Sequence, residues 1–266
     1  PLHASLIQLL KELEPADWDQ PTLAKDWRVK DGVAHLLDTT IRGIAVLRDK
    51  HFGDNGPSQP DYLSLVQYIN QLNANFIETA KRFSPALLIE FLELTGPVHA
   101  KLLSDLDPFA KAVFSVAWAG ENESYNWFHV AREYTEKYHH QLQIREAVGK
   151  TEALMTAEFY APFMQTFFLG LPYLLTNHRA PNEAIVALEV GGSNGAICYL
   201  QYKNGQWQIL QDWGSIDLYA KTVIPADIAW KLFTKGVSPM EIMPLVTLEG
   251  NPILAAQMLN LIAVVA

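Results

Sequence analysis

Apolar residues at helical spacing fill long segments in the first two-thirds of this chain. The series begins with Leu6, Leu9, Leu10 and Leu13, and Pro15 ends the first predicted helix. More helices are predicted at residues 28–52, 61–83, 85–106, 126–148 and 153–175. Long antiparallel helices with short connections bury one apolar stripe each by packing as a bundle. The first part of the chain is therefore predicted to be a helical bundle.

After Asn182 the pattern changes to short apolar or alternating runs, which predict strands. These runs lie at residues 185–190, 196–202, 206–210 and 218–224. Asn204 and Gly205 stand between two of them, and this pair tolerates the positive φ values of a type I′ turn. A β-hairpin is predicted at that point.

Helical signals return near the C-terminus. Pro225 opens a helix that stops near Gly236, and residues 238–241 combine a capping box with a proline at the first helical position. A strand at 246–248 and a last core helix within 253–266 follow. Strands followed by helices predict a small α+β unit.

The length and composition are compatible with one large domain or two medium-sized ones. A chain of 266 residues with 49% hydrophobic residues has enough apolar material for two medium-sized cores. We predict a multidomain protein, α followed by α+β, with domains at residues 1–178 and 179–266. The formal charge of −9, without clustered Lys and Arg, argues against nucleic acid as a partner.

Cysteine usage and hydropathy predict a cytoplasmic protein without a membrane segment. Cys198 is the single cysteine, so an internal disulfide is excluded and a reducing compartment is the expectation. It lies in an apolar run and is predicted to be a buried hydrophobic residue. The apolar stretch at residues 253–266 is too short to cross a bilayer core of about 30 Å.

One helical stripe carries residues that can bind a metal. His129, Glu133, Glu136, His140 and Gln143 follow one another at offsets of four or three residues and share a face of the predicted helix 126–148. The opposite face is apolar, so amphipathicity favours a solvated stripe. The alternative is a metal site, which needs a further ligand from another helix. Spacing alone neither decides between these nor chooses the further ligand.

Two motifs resemble a known family. The segments 13–22 and 27–37 contain a Trp and a Pro-Thr pair before a helix, then Trp, Val, Asp and a His-Leu pair. This order resembles the opening of the mycothiol-dependent maleylpyruvate isomerase N-terminal family, which belongs to the DinB superfamily. Glu136, His140 and Gln143 match a second motif of the family. That motif is an acid or His, followed four residues later by His and three residues after that by Asp or Gln. The resemblance implies a DinB-like four-helix bundle.

By the same resemblance His35, Glu136 and His140 are metal ligands, and water or substrate takes the open position. A His₂Glu set fits zinc best but also suits nickel, iron or manganese. Four further residues of this stripe and of the turn after His35 are predicted to support the ligands or to contact substrate: Gln143, Glu133, His129 and Asp38. The alternative is that they are surface polar groups. His139 lies about 100° around the helix from His140 and is predicted to be a surface neighbour.

The part after Asn182 resembles the sterol carrier protein-like domain that often follows this bundle. That resemblance implies an apolar cavity between sheet and helices. Four aromatic residues can line such a cavity or form ordinary core: Trp207, Trp213, Tyr219 and Trp230.

The resemblance implies a metal-dependent enzyme that uses a low-molecular-weight thiol as an S-transferase or isomerase. Its partners are then a small-molecule thiol and an electrophilic substrate, and the reacting group is the metal-bound thiol or water rather than an assigned side chain. A metal-dependent hydrolase and a non-catalytic carrier of an apolar molecule with a structural metal are the alternatives. A homodimer is compatible with the sequence, which does not fix the oligomeric state.

Overall fold

The computed structural model describes residues 1–53, 56, 62–192, 195–211 and 217–264. These residues form two compact units, each treated separately below. The first unit comprises Pro1–Ala110 and Glu136–Thr151, and the second comprises Lys111–Thr135 and residues 152–264. The domain boundary at residue 178 stays a prediction.

The first unit is helical, as predicted. Its helices are α1 Leu2–Lys11, α2 Val29–Asp49, α3 Tyr62–Ala80, α4 Pro85–Ser104 and the second half of α5 Asn126–Ala147. Helix α2 packs against α3 and α4, and α1 packs against α4. The apolar faces meet in one buried cluster, which includes Leu9, Leu10, Val33, Leu37, Leu88, Leu92 and Ile144. Burial of these side chains is the main force that holds the helices together.

The second unit contains a five-stranded sheet in the order β3-β2-β1-β4-β5. The strands are β1 Ile185–Gly191, β2 Ala196–Lys203, β3 Gln206–Ile209, β4 Ala220–Pro225 and β5 Thr247–Gly250. Strands β1 and β4 pair in parallel, and the other neighbours are antiparallel. The predicted hairpin is confirmed, because Asn204 and Gly205 have φ values of 53° and 83° between β2 and β3.

Helices complete this unit. They are α6 Ala157–Phe168, α7 Leu171–Leu174, α8 Ala226–Phe233, α9 Pro239–Ile242 and α10 Pro252–Gln257. The predicted capping box at Ser238 is confirmed, since its side chain and that of Glu241 bond each other's backbone N–H groups. Helix α10 lies against β4 and β5, where the Thr222 hydroxyl donates to the Ala255 carbonyl over 2.7 Å.

Two helix predictions are wrong in extent. The continuous helix predicted at 153–175 begins only at Ala157 and is interrupted after Phe168. Gly170 precedes the short α7 there, and Pro172 lacks the N–H group that a continuous helix would need. The last helix ends at Gln257 and continues as a short 3-10 turn. No helix in the described ranges is long and apolar enough to cross a membrane.

The aromatic set of the second unit divides between core and surface. Trp207 and Trp230 are buried, which confirms the core interpretation for these two, whereas Tyr219 is exposed. Trp213 lies outside the described residues. A cleft of about 600 Å³ in this unit is lined by other residues, among them Met155 and Val223.

Candidate metal centre

The first family-like motif builds the start of helix α2. Thr22 and Trp27 close a tight loop, because the backbone N–H and the hydroxyl of Thr22 both donate to the Trp27 carbonyl over 2.9 Å. The Asp31 carboxylate then accepts a bond of 2.9 Å from the Arg28 backbone N–H and satisfies a donor at the helix start. This loop fixes where α2 begins and so sets the position of His35.

His35 lies in an aromatic group with Trp27 and His140. The ring centroid of His35 is 4.9 Å from that of Trp27 and 4.5 Å from that of His140. The Trp27 ring also stacks on His140 at 5.8 Å. His35 and His140, which are 105 residues apart in sequence, therefore meet between α2 and α5. The structure brings together the two histidines that the resemblance pairs.

Glu136 and Gln143 flank His140 along α5. The Glu136 Oε2 atom lies 3.7 Å from His140 Nε2, and the Gln143 Oε1 atom lies 2.9 Å from His140 Nδ1. Because a glutamine oxygen only accepts hydrogen bonds, this orientation places the His140 hydrogen on Nδ1. The Nε2 lone pair then faces the carboxylate at a distance too long for a hydrogen bond.

Burial keeps both imidazoles of this group neutral. Burial, and after it the nearby His139, lowers the pKa of His140 to about 3. The pKa of His35 lies well below its usual value, first because of burial and then because of the neighbouring His140. A neutral imidazole is the form that binds a metal ion.

The residues present fit a divalent ion. His35 Nδ1 is buried and has no hydrogen-bond partner among the described residues, although burying an unpaired polar atom is unfavourable. Two imidazoles and a carboxylate form the donor set of three-ligand zinc sites. A cation held by these groups would offset the energetic cost of the unpaired His35 nitrogen. It would also offset the repulsion between the facing lone pairs of His140 and Glu136.

The prediction that His139 is a surface residue is wrong. It is only 4% exposed, and its Nδ1 atom lies 4.0 Å from Glu136 Oε2. The ligand atoms of Glu136, His139 and His140 all lie within 4.8 Å of one another, so these three can hold an ion. The prediction was wrong because α5 is buried on more than one face. The spacing Glu-x-x-His, which recurs in metal-binding helical bundles, is the sequence signal by which His139 could have been found.

The interpretation of the stripe as solvated surface is also wrong. His129 and Gln143 are buried, and the side chains of Glu133 and Glu136 are 18% and 28% exposed. His129 and Glu133 both contact the Arg132 guanidinium, at 2.8 Å through Nδ1 and 2.9 Å through Oε1. These contacts lie within the second unit.

Asp38, one turn beyond His35, is buried and lies 2.7 Å from the Arg42 guanidinium. Burial raises the pKa of its carboxyl group, and Arg42 opposes that rise. The predicted support of the ligands by Asp38, Glu133 and His129 stays a prediction, whereas Gln143 contacts His140 directly.

Solved structures share the fold of this chain. A mycothiol-dependent maleylpyruvate isomerase matches with a TM-score of 0.54 at 11% identity, over 93% of this chain and 88% of its own. A histidine-to-alanine mutant of such an isomerase matches with the same TM-score and coverage at 10% identity. The protein UbiJ-SCP2, described as a ubiquinone synthesis protein, matches 38% of this chain and 96% of its own at 18% identity. Its TM-score of 0.26 carries no structural argument, so the sterol carrier-like domain stays a prediction.

No curated protein matches the sequence. The family model described as the mycothiol maleylpyruvate isomerase N-terminal domain matches residues 1–145, which is more than half of the 266 residues. The match includes both motifs and the residues around His35, Glu136 and His140. The chain therefore belongs to the mycothiol maleylpyruvate isomerase N-terminal domain family.

Proposed function

We propose that this protein is a metal-dependent enzyme that uses a low-molecular-weight thiol, as an S-transferase or isomerase. In this proposal His35, Glu136 and His140 hold one divalent ion. The observation that carries it is the buried His35 Nδ1 atom, which has no hydrogen-bond partner in the part of the chain that the structure describes. The ring centroid of His35 lies 4.5 Å from that of His140. Membership of the mycothiol maleylpyruvate isomerase N-terminal domain family gives independent support. The two similar solved structures are described as mycothiol-dependent maleylpyruvate isomerases.

The thiol must come from outside the chain. Cys198 is the single cysteine of the sequence, and it is buried in strand β2 of the second unit. Burial raises the pKa of its thiol to about 12, so almost no thiolate forms near neutral pH. A thiol-dependent reaction therefore needs a small-molecule thiol, and mycothiol is the first one to test.

The chain's own residues prepare a place for that thiol and its substrate. A bound divalent ion with an open position would lower the pKa of a thiol or polarise a carbonyl group. Gln143 holds the His140 ring in the tautomer whose Nε2 atom faces Glu136. Trp27 packs over both His35 and His140 and limits the access of water to them.

A positive charge lies near the proposed ligands. The Lys137 ammonium group donates a bond of 2.8 Å to the Thr40 hydroxyl, which joins α5 to α2. Its charge is one of the influences that lower the pKa of both His35 and His140. An ammonium group so placed favours anionic ligands, and a thiolate is one of them.

Zinc is the metal that we expect, and nickel, iron or manganese suit the same donors. A metal-dependent hydrolase and a carrier of apolar molecules stay predicted alternatives. If the protein is a thiol-dependent metalloenzyme, turnover needs both the metal and the thiol.

The test is a turnover assay with metal-loaded protein, mycothiol or glutathione, and either maleylpyruvate or a generic aryl halide electrophile. We expect thiol-dependent turnover that falls at least about 100-fold in His35→Ala, because loss of a direct ligand exceeds the effect of losing its supports. His51→Ala is the matched control, since His51 is exposed. Turnover without thiol would favour the hydrolase, and full activity in His35→Ala would refute the proposed site.

A further inference from the structure

We propose that His139 is a further ligand of the ion, so that the site has four protein donors: His35, Glu136, His139 and His140. This inference rests on the metal site of the proposed function. It adds a third imidazole, from the residue directly before His140 on α5.

Helix geometry places Glu136 between the two histidines. Residues three and four positions further along a helix lie one turn away, about 60° to one side and about 40° to the other side of the starting residue. His139 and His140 therefore flank the Glu136 carboxylate from the next turn of α5. The Glu-x-x-His spacing of Glu136 and His139 is the one by which helical bundles present paired ligands to metal ions.

The distances agree with a shared ion. Glu136 Oε2 lies 4.0 Å from His139 Nδ1 and 3.7 Å from His140 Nε2. Two ligands of one zinc ion are separated by at most about 4.2 Å, which is twice a typical metal–ligand bond. The ligand atoms of Glu136, His139 and His140 lie within 4.8 Å of one another, so a small rotation of one ring brings these three into range. His35 approaches the same place from α2, with its ring centroid 4.5 Å from that of His140.

Burial also separates His139 from ordinary surface histidines. Its side chain is 5% exposed, whereas the Glu136 side chain beside it is 28% exposed. Its ring centroid lies 3.9 Å from that of His140, and the planes are inclined by 39°. The His140 ring thus lies close to the rings of both His35 and His139.

A fourth protein ligand changes what the resting site can accept. Four protein donors complete a tetrahedral zinc site, whereas three leave a position open. With these four residues holding the ion, a small-molecule ligand would bind only by replacing one donor or by raising the coordination number to five. His139, as the donor beyond the His₂Glu set, is the one we expect to give way.

The experiment is X-ray absorption spectroscopy of the zinc-loaded full chain, which counts imidazole ligands. We expect three imidazoles in the wild type and two in His139→Phe, which retains a buried ring but has no donor atom. Zinc affinity, measured by competition with a chelator, should fall at least about tenfold in His139→Phe. His99→Ala is the matched control, because His99 is another buried histidine of the first unit, and it should keep three imidazoles.

The outcomes separate this inference from the proposed function. Zinc bound by only two imidazoles in the wild type would overturn the role of His139 and leave the proposed site intact. Absence of stoichiometric zinc and of any other divalent ion would refute the proposed site and this inference together. The wild-type count decides the question even if His139→Phe fails to fold.

Discussion

Replacement of Gly43 by alanine tests how tightly helices α2 and α4 are packed in the unit that holds the candidate metal centre. A Cβ atom at Gly43 would lie 2.8 Å from Cε1 and 3.0 Å from Cδ2 of His99, and closer still to Nε2. His99 is 1% exposed, so its ring has little room to move. The alanine must therefore shift either the ring or the helices.

Two opposing terms set the magnitude. Overpacking of a filled core typically costs about 1–3 kcal/mol. Replacing glycine by alanine inside a helix contributes about 1 kcal/mol in the other direction. We expect Gly43→Ala to lower the free energy of unfolding by about 1 kcal/mol, as the difference between these terms.

The assay is urea unfolding of the metal-free protein, followed by circular dichroism. In a His99→Ala background the clash is absent, so Gly43→Ala should become stabilising by up to about 1 kcal/mol. The coupling energy between the two positions is then about 2 kcal/mol, which a double-mutant cycle resolves. Equal effects of Gly43→Ala in both backgrounds would refute this account of the α2–α4 contact.

Three more predictions concern the first unit. Gln143→Leu should weaken zinc binding about 10- to 100-fold, because it removes the acceptor that orients His140. Gln143→Glu keeps the acceptor and is the control. Equal zinc affinities of the Leu variant and the wild type in a chelator competition would contradict this prediction. Arg145→Met should lower the free energy of unfolding by about 3 kcal/mol, because its guanidinium donates to the Ser5 and Lys150 carbonyls over 2.9 and 3.1 Å; an unchanged urea midpoint would contradict this. The metal-free protein should lose stability as pH falls below about 6.5, because His140 then binds a proton in the unfolded state but stays neutral in the folded state, where its pKa is about 3. Each such histidine lowers the free energy of unfolding by up to about 1.4 kcal/mol per pH unit. A free energy of unfolding that stays constant between pH 6.5 and 4 would contradict this prediction.

The sequence predicted the helical elements well where periodicity was strong. Helix α5 was placed within a residue at each end, because Asn126 starts it and Gly149 follows it. The helix boundaries within residues 153–175 were not predicted, because apolar residues continue past the break before α7. Periodicity reports which residues are apolar, but a break depends on where the backbone must turn to pack.

The sheet shows a further limit. Its strands were predicted one by one, but the parallel pairing of β1 with β4 depends on contacts between residues over 30 positions apart. The hairpin between β2 and β3 was accessible because Asn204-Gly205 encodes its turn locally.

The candidate site was predictable in part. His35, Glu136 and His140 were assigned through family resemblance, and the structure brings the two histidine rings together. His139 was missed because helical periodicity supposes one buried face and one exposed face. Helix α5 is buried on more than one face, since Tyr138, His139 and Gln143 are all buried.

The metal centre itself can be tested by elemental analysis of the purified protein and of its His35→Ala variant, after dialysis against a weak chelator. We expect about one divalent ion per chain in the wild type and loss of that ion in the variant. Retention of stoichiometric metal by His35→Ala would exclude His35 as an essential ligand. Absence of metal from both proteins, even after incubation with zinc, would contradict the metal centre itself.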